Sequence, residues 1–177
     1  MTRLERWSLG AILIASCGAC AHRSDFPTVT RPDTRQLVGV VFDSAVLRVT
    51  IRAYQNAYPN EAAMCYYGTV RDTVMDGETK RFAWADRAIP AAQDSADGYH
   101  VWFARGMKSG CIAKGLIGIS HAHQAGTGYC THSVPDAYVL MENHQALFSA
   151  VFCANGSLEV LYQDGRRVPD NWLRAFQ

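Results

Sequence analysis

The feature that most constrains this chain's fold is a short apolar run ending in paired histidines: Leu116-Ile117-Gly118-Ile119-Ser120, then His121-Ala122-His123. A run that short reads as a buried strand. Strand side chains at i and i+2 project to one face, so His121 and His123 can approach a single point together. After a glycine-containing loop, Ser133-Val134-Pro135-Asp136 opens a helix signal, and Asp136 can add a carboxylate oxygen. Two imidazoles and one carboxylate hold Zn²⁺ with one tetrahedral position left for water, the pattern of a catalytic site. A structural zinc site is instead closed by four protein ligands. A carboxylate is also needed to activate that water, and Glu61 stands just before another apolar strand signal.

The rest of the chain alternates short strand signals with turns. Leu37–Asp43 is a valine-rich apolar run, read as a buried strand. Ala45–Tyr58 fits two patterns. Leu47, Val49 and Ile51 alternate as in a strand, while Leu47, Ile51, Tyr54 and Tyr58 share a helix face that Asp43 or Ser44 could cap. Ala62–Thr73 and Thr79–Ala88 flank Asp76-Gly77, a hairpin signal. Pro90–Gly98 reads as a polar loop, Tyr99–Ala104 as a strand and Pro135–Gln145 as a helix. Leu147–Ala154 and Leu158–Tyr162 straddle the turn pair Asn155-Gly156. The expected class is α/β, sheet-dominated, in one domain. A 177-residue chain with 49% hydrophobic residues can bury such a core. A net charge of +1 with no Lys/Arg block argues against a nucleic-acid partner.

The N-terminus reads as an address. Arg3 and Arg6 precede an apolar stretch, Trp7–Ser16, too short to span a bilayer. Ile14-Ala15-Ser16-Cys17 resembles a bacterial lipobox, which implies cleavage before Cys17 and its lipidation. The expected organisation is a signal peptide at 1–16, a lipid-anchored tether at 17–36 and the folded domain at 37–177. Gly18, where an aspartate would signal inner-membrane retention, points to the outer membrane. The compartment is then the periplasm, where disulfides persist. At least one is expected among Cys65, Cys111, Cys130 and Cys153, whose pairing the sequence leaves open; no C-x-x-C suggests a zinc ribbon.

Glu61, Cys65 and Gly68 ahead of a strand, then His121-x-His123 and Ser133-x-x-Asp136, resemble the JAMM motif of the JAB1/MPN/Mov34 metalloprotease family. The resemblance covers most of residues 37 to 165, including a closing hairpin, FSAVFCANGSLEVLYQDG. It implies a curved, mixed β-sheet flanked by helices, with cytidine-deaminase-like layering, and favours a helix over Ala45–Tyr58. It implies that His121, His123 and Asp136 ligate Zn²⁺, that Glu61 shuttles a proton from water to the leaving amine, and that Ser133 donates to the oxyanion. The implied activity is hydrolysis of a peptide or isopeptide bond, with a peptide or protein as substrate. A second reading of this chain is a non-catalytic MPN-type scaffold that binds a partner protein, although such relatives usually lack ligands or the glutamate that this chain keeps; a third is an exported metal-binding protein without hydrolysis.

The chain departs from the family pattern in three places. Gln124 replaces the usual proline, residues 124–132 form a longer loop, and Glu61-Ala-Ala-Met-Cys65-Tyr66-Tyr67-Gly68 expands the usual Glu-x-x-Cys-Gly. The longer loop makes Thr131 a second candidate hydroxyl. His132 is read as a loop residue, since a fourth ligand would close the site. His100 is read as structural, His144 as a solvated helix residue, and Trp84, Trp102 and Trp172 as core or interface.

Overall fold

The computed structural model describes residues 33–104, 110–112, 114–123, 131–170 and 173–176. Contacts divide the chain into Met1–Thr30 and Arg31–Gln177, and every described residue belongs to the second unit. The signal segment, Cys17, the tether up to residue 32, Gln124, Cys130 and Trp172 lie outside the described residues.

The α/β class holds: a mixed, curled sheet carries two helices. The strands are β1 (Leu37–Asp43), β2 (Ala63–Met75), β3 (Glu78–Pro90), β4 (Gln93–Ala96), β5 (Val101–Phe103), β6 (Leu116–His123), β7 (Phe148–Cys153), β8 (Leu158–Tyr162) and β9 (Leu173–Phe176). The helices are α1 (Ser44–Ala57) and α2 (Val134–Glu142). Seven strands form one sheet in the order β8-β7-β6-β2-β3-β1-β9, with β4 and β5 paired separately. The histidine-bearing strand β6 is thus interior, antiparallel to β2 and parallel to β7.

Strand alternation divides the core between the two faces. Met64 and Tyr66 of β2 join one cluster with Phe42, Phe148 and the α1 residues Val46 and Tyr54. Ala63, Cys65 and Tyr67 face the other way and join Ile119 and the α2 residue Leu140. His121 and His123 share the parity of Ile119 and therefore lie on the α2 face. Gly118 has the opposite parity, and a Cβ there would lie 2.2 Å from the Phe148 ring.

Ala45–Tyr58, ambiguous in pattern, is helical. Asp43 caps it, accepting from Ala45 N at 2.7 Å. The buried stripe is Val46, Thr50 and Tyr54, while Ile51 and Tyr58 are exposed, so the helix face expected from apolar spacing is rotated. Thr50 takes a core position because its hydroxyl donates to Val46 O at 2.9 Å and meets Tyr66 Oη at 3.3 Å. Tyr54 Oη and Tyr66 Oη both bond Ser120 Oγ, at 2.5 and 2.8 Å, tying α1 to β6 one residue before His121.

The Asp76-Gly77 hairpin forms with both residues at positive φ, which matches the twist of the flanking strands. Three sequence expectations need correction. Within the supposed loop Pro90–Gly98, Gln93–Ala96 is a strand paired with β5; its exposed polar side chains give no apolar alternation. The helix expected at Pro135–Gln145 spans Val134–Glu142, which puts His144 in the turn beyond it, exposed as expected. No strand was read at 173–176, yet β9 pairs parallel with β1 at the sheet edge. The expected disulfide joins Cys65 to Cys111, and Cys153 is also disulfide-bonded, to a partner outside the described residues.

Candidate metal centre

The cleft lies on the α2 face, where β6 ends. The register of β2 on β6 pairs Ala63 with His121, and Ala122 N donates to Ala62 O at 3.0 Å. Glu61, just ahead of β2, therefore arrives at the same end of the sheet as the histidines. Its backbone N–H bonds Asp97 O, at 2.6 Å, in the turn between β4 and β5. Glu61, His121, His123, Ser133 and Asp136 all line one cleft of about 430 Å³.

α2 brings the carboxylate. Ser133 is its N-cap in a reciprocal capping box with Asp136, and Pro135 stands in the first turn. Ser133 N and Ser133 Oγ each donate to Asp136 Oδ2 at 2.7 Å. Asp136 Oδ1 lies 3.3 Å from His121 Nε2, and Oδ2 lies 3.9 Å from His123 Nε2. The two Nε2 atoms are 3.0 Å apart. Ligands about 2.0–2.1 Å from a tetrahedral zinc are separated from one another by about 3.3 Å. The observed 3.0, 3.3 and 3.9 Å, the last two ending on different oxygens of Asp136, straddle that edge, so this donor set fits the metal. Among the described residues it is the only group of three His, Cys, Asp or Glu whose ligand atoms lie within 4.8 Å of one another.

The two carboxyl groups in the cleft have opposite electrostatics. Burial pushes Glu61 up to about 7, with the Asp136 charge adding to the rise and His121 opposing it. Burial acts on Asp136 in the same sense, but hydrogen bonds from His121 and Ser133 outweigh it and hold the acid well below the usual carboxylate range. One carboxyl is thereby suited to carry a proton near neutral pH and the other to remain an anionic ligand.

The structure thus brings all five sequence-derived site residues of the folded domain to one place. Thr131, the second hydroxyl candidate, is exposed and is not among the cleft-lining residues. His100, read as structural, and Trp102, read as core or interface, are both exposed and line the cleft, along with Tyr99 and Phe103, so Trp102 is not a core residue. Asp97 Oδ1 holds this wall, accepting from Tyr99 N at 2.7 Å and His100 N at 2.8 Å. Trp84 is half-buried, with the Arg71 guanidinium 4.7 Å above its ring. Sequence reasoning missed Glu159, which meets His132 beside the ligands. It lies in an apolar strand signal, Leu158-Glu159-Val160-Leu161-Tyr162, where a lone acid reads as solvent-facing.

No protein-family model matches the chain, and no curated protein matches it in sequence. Among solved structures, it is similar to a JAB1/MPN domain protein from Archaeoglobus fulgidus, at 13% identity and a TM-score of 0.45, covering 78% of this chain and 98% of that one. It is also similar to a protein from Desulfitobacterium hafniense solved in solution, at 14% identity and a TM-score of 0.47, covering 78% and 93%.

Proposed function

We propose that this chain is a zinc-dependent hydrolase of an amide bond, peptide or isopeptide, held by a lipid on Cys17 at the periplasmic face of the cell envelope. The observation that supports the chemistry is the closeness of His121 Nε2, His123 Nε2 and the two Asp136 oxygens, 3.0 to 3.9 Å apart, around the edge length of a zinc tetrahedron; three such ligands leave a fourth position open. Zinc, when bound, supplies Lewis acidity that acidifies water and polarises a carbonyl. Glu61 removes the water's proton and returns it to the leaving amine, a role supported by its place in the same cleft as His121, His123 and Asp136. Ser133 steadies Asp136 through both of its donors. Its hydroxyl also stands at the cleft, where turning from Asp136 would let it donate to an oxyanion. His100 and Trp102 line the same cleft, on the wall against which a substrate would lie.

Glu61→Gln is the deciding variant, tested with a peptide library and zinc analysis on one preparation. The expected result is full zinc content and a rate lowered by about 10²–10⁴. Zinc retained with unchanged turnover refutes the mechanism, and a wild-type protein that binds zinc without cutting any peptide favours a scaffold. The anchor rests on the lipobox-like residues 14–17. Cys17→Ser is expected to move the chain from the membrane to the soluble fraction; unchanged membrane association refutes lipidation there.

A further inference from the structure

A buried histidine–carboxylate pair lies beside the ligand set. His132 directly precedes Ser133, at the end of the long connection from β6 to α2. Its backbone N–H donates to Glu159 Oε2 at 2.6 Å, and its ring Nδ1 lies 2.9 Å from the same oxygen. Glu159 projects from β8 and is buried, with Arg167 Nε 3.8 Å from its other oxygen. The His132 side chain is only 2% exposed. Its ring stands edge-on to His121 with centroids 6.4 Å apart, and its Nε2 is buried without a hydrogen-bond partner.

We propose that Glu159 and His132 are positioning residues for the metal centre. The backbone bond fixes where α2 begins, and through the Ser133–Asp136 capping box it fixes the carboxylate ligand. The ring, locked by its Nδ1 bond, forms a wall that sets His121. An anchor for the chain alone would be complete with the backbone bond. The additional feature is an imidazole buried with one nitrogen bare, and it is packed against a metal ligand. A carboxylate that orients a histidine near a metal is a recurrent means of tuning affinity. Here the oriented histidine acts on the ligands by packing and chain position, since its nitrogens fall outside the ligand group. The proposal rests on the zinc reading above.

The test is metal affinity, measured by chelator competition on metal-free protein, with the visible spectrum of the cobalt-substituted chain as a second readout. Glu159→Ala is expected to weaken zinc binding about 10- to 100-fold and to alter the cobalt bands. Glu159→Gln, whose amide oxygen still accepts both N–H groups, is expected to stay near wild type. His132→Ala keeps the backbone bond and removes the wall, and is expected to weaken binding less than Glu159→Ala; it also serves if Glu159→Ala does not fold. A merely structural role would lower the unfolding temperature and leave affinity and spectrum unchanged, which would overturn the proposal. Wild-type protein that takes up neither metal would overturn the zinc reading itself, whereas wild-type uptake with unaltered variants overturns this proposal alone.

Discussion

Asp136 Oδ2 accepts both the backbone N–H and the hydroxyl of Ser133, each at 2.7 Å, while Oδ1 is left 3.3 Å from His121 Nε2. The same pair that caps α2 therefore orients the ligand carboxylate. Helix start and candidate metal centre are one structural unit.

Ser133→Ala removes the hydroxyl and keeps the backbone donor. The lost cap is expected to cost about 1 kcal/mol of stability, and zinc affinity should fall only several-fold. If the hydroxyl also serves the oxyanion, the rate at saturating zinc falls a further 10²–10³ or so. Ser133→Thr, which keeps a hydroxyl, should recover most of both. Titrating zinc while following turnover separates the roles: a rate restored fully by excess zinc would confine Ser133 to holding Asp136.

Glu61 makes stability depend on pH in a direction opposite to most carboxylates. Its pKa is raised from 4.5 to about 7, so the fold favours its neutral form. The stability this contributes is fully present below about pH 4.5 and is lost as pH rises through about 7. Glu61→Gln is always neutral. Relative to wild type, the metal-free variant should gain up to about 3 kcal/mol between pH 4 and pH 8. Thermal unfolding of both proteins at the two pH values checks this, and a difference independent of pH would mean that Glu61 is not desolvated.

Much of this was legible because local signals and tertiary demands agreed. The run from Leu116 to His123 is apolar until its end and alternates where it matters, so the strand and the shared face of the two histidines followed from one stretch. Asp76-Gly77 carries turn chemistry in its residues and formed as expected, and a helix does open at Ser133-x-x-Asp136, where the pair adds a capping box. The misreadings have a common physical cause. β4 is an exposed polar strand, held by pairing with β5 and by the Asp97 turn, so apolar periodicity could not reveal it. In α1, Thr50 is a core residue because its hydroxyl donates back to Val46 O and meets Tyr66 Oη, and Tyr54 because its hydroxyl meets Ser120 Oγ on a distant strand, a partner no local rule predicts. Glu159 is buried for the same reason: its partner, His132, is distant in sequence.

The last expectation concerns which ligand matters most. His121 Nε2 is close to both other ligand residues, 3.0 Å from His123 Nε2 and 3.3 Å from Asp136 Oδ1, whereas the His123–Asp136 separation is 3.9 Å. Removing His121 leaves the widest pair. His123→Ala and Asp136→Ala each leave a pair within about the tetrahedral edge. All three substitutions should empty the site under gel filtration, because two protein ligands hold zinc poorly, but chelator competition should rank His121→Ala as the weakest binder. Asp136→Asn keeps the shape and the Ser133 bonds to its amide oxygen, but its NH2 then takes the place of Oδ1 facing His121 Nε2. An amide nitrogen does not ligate zinc, so Asp136→Asn should bind about as weakly as Asp136→Ala. Zinc content by elemental analysis and affinity by competition check both expectations. Full zinc occupancy in His121→Ala would place the metal elsewhere, and wild-type affinity in Asp136→Asn would leave the carboxylate no part in holding it.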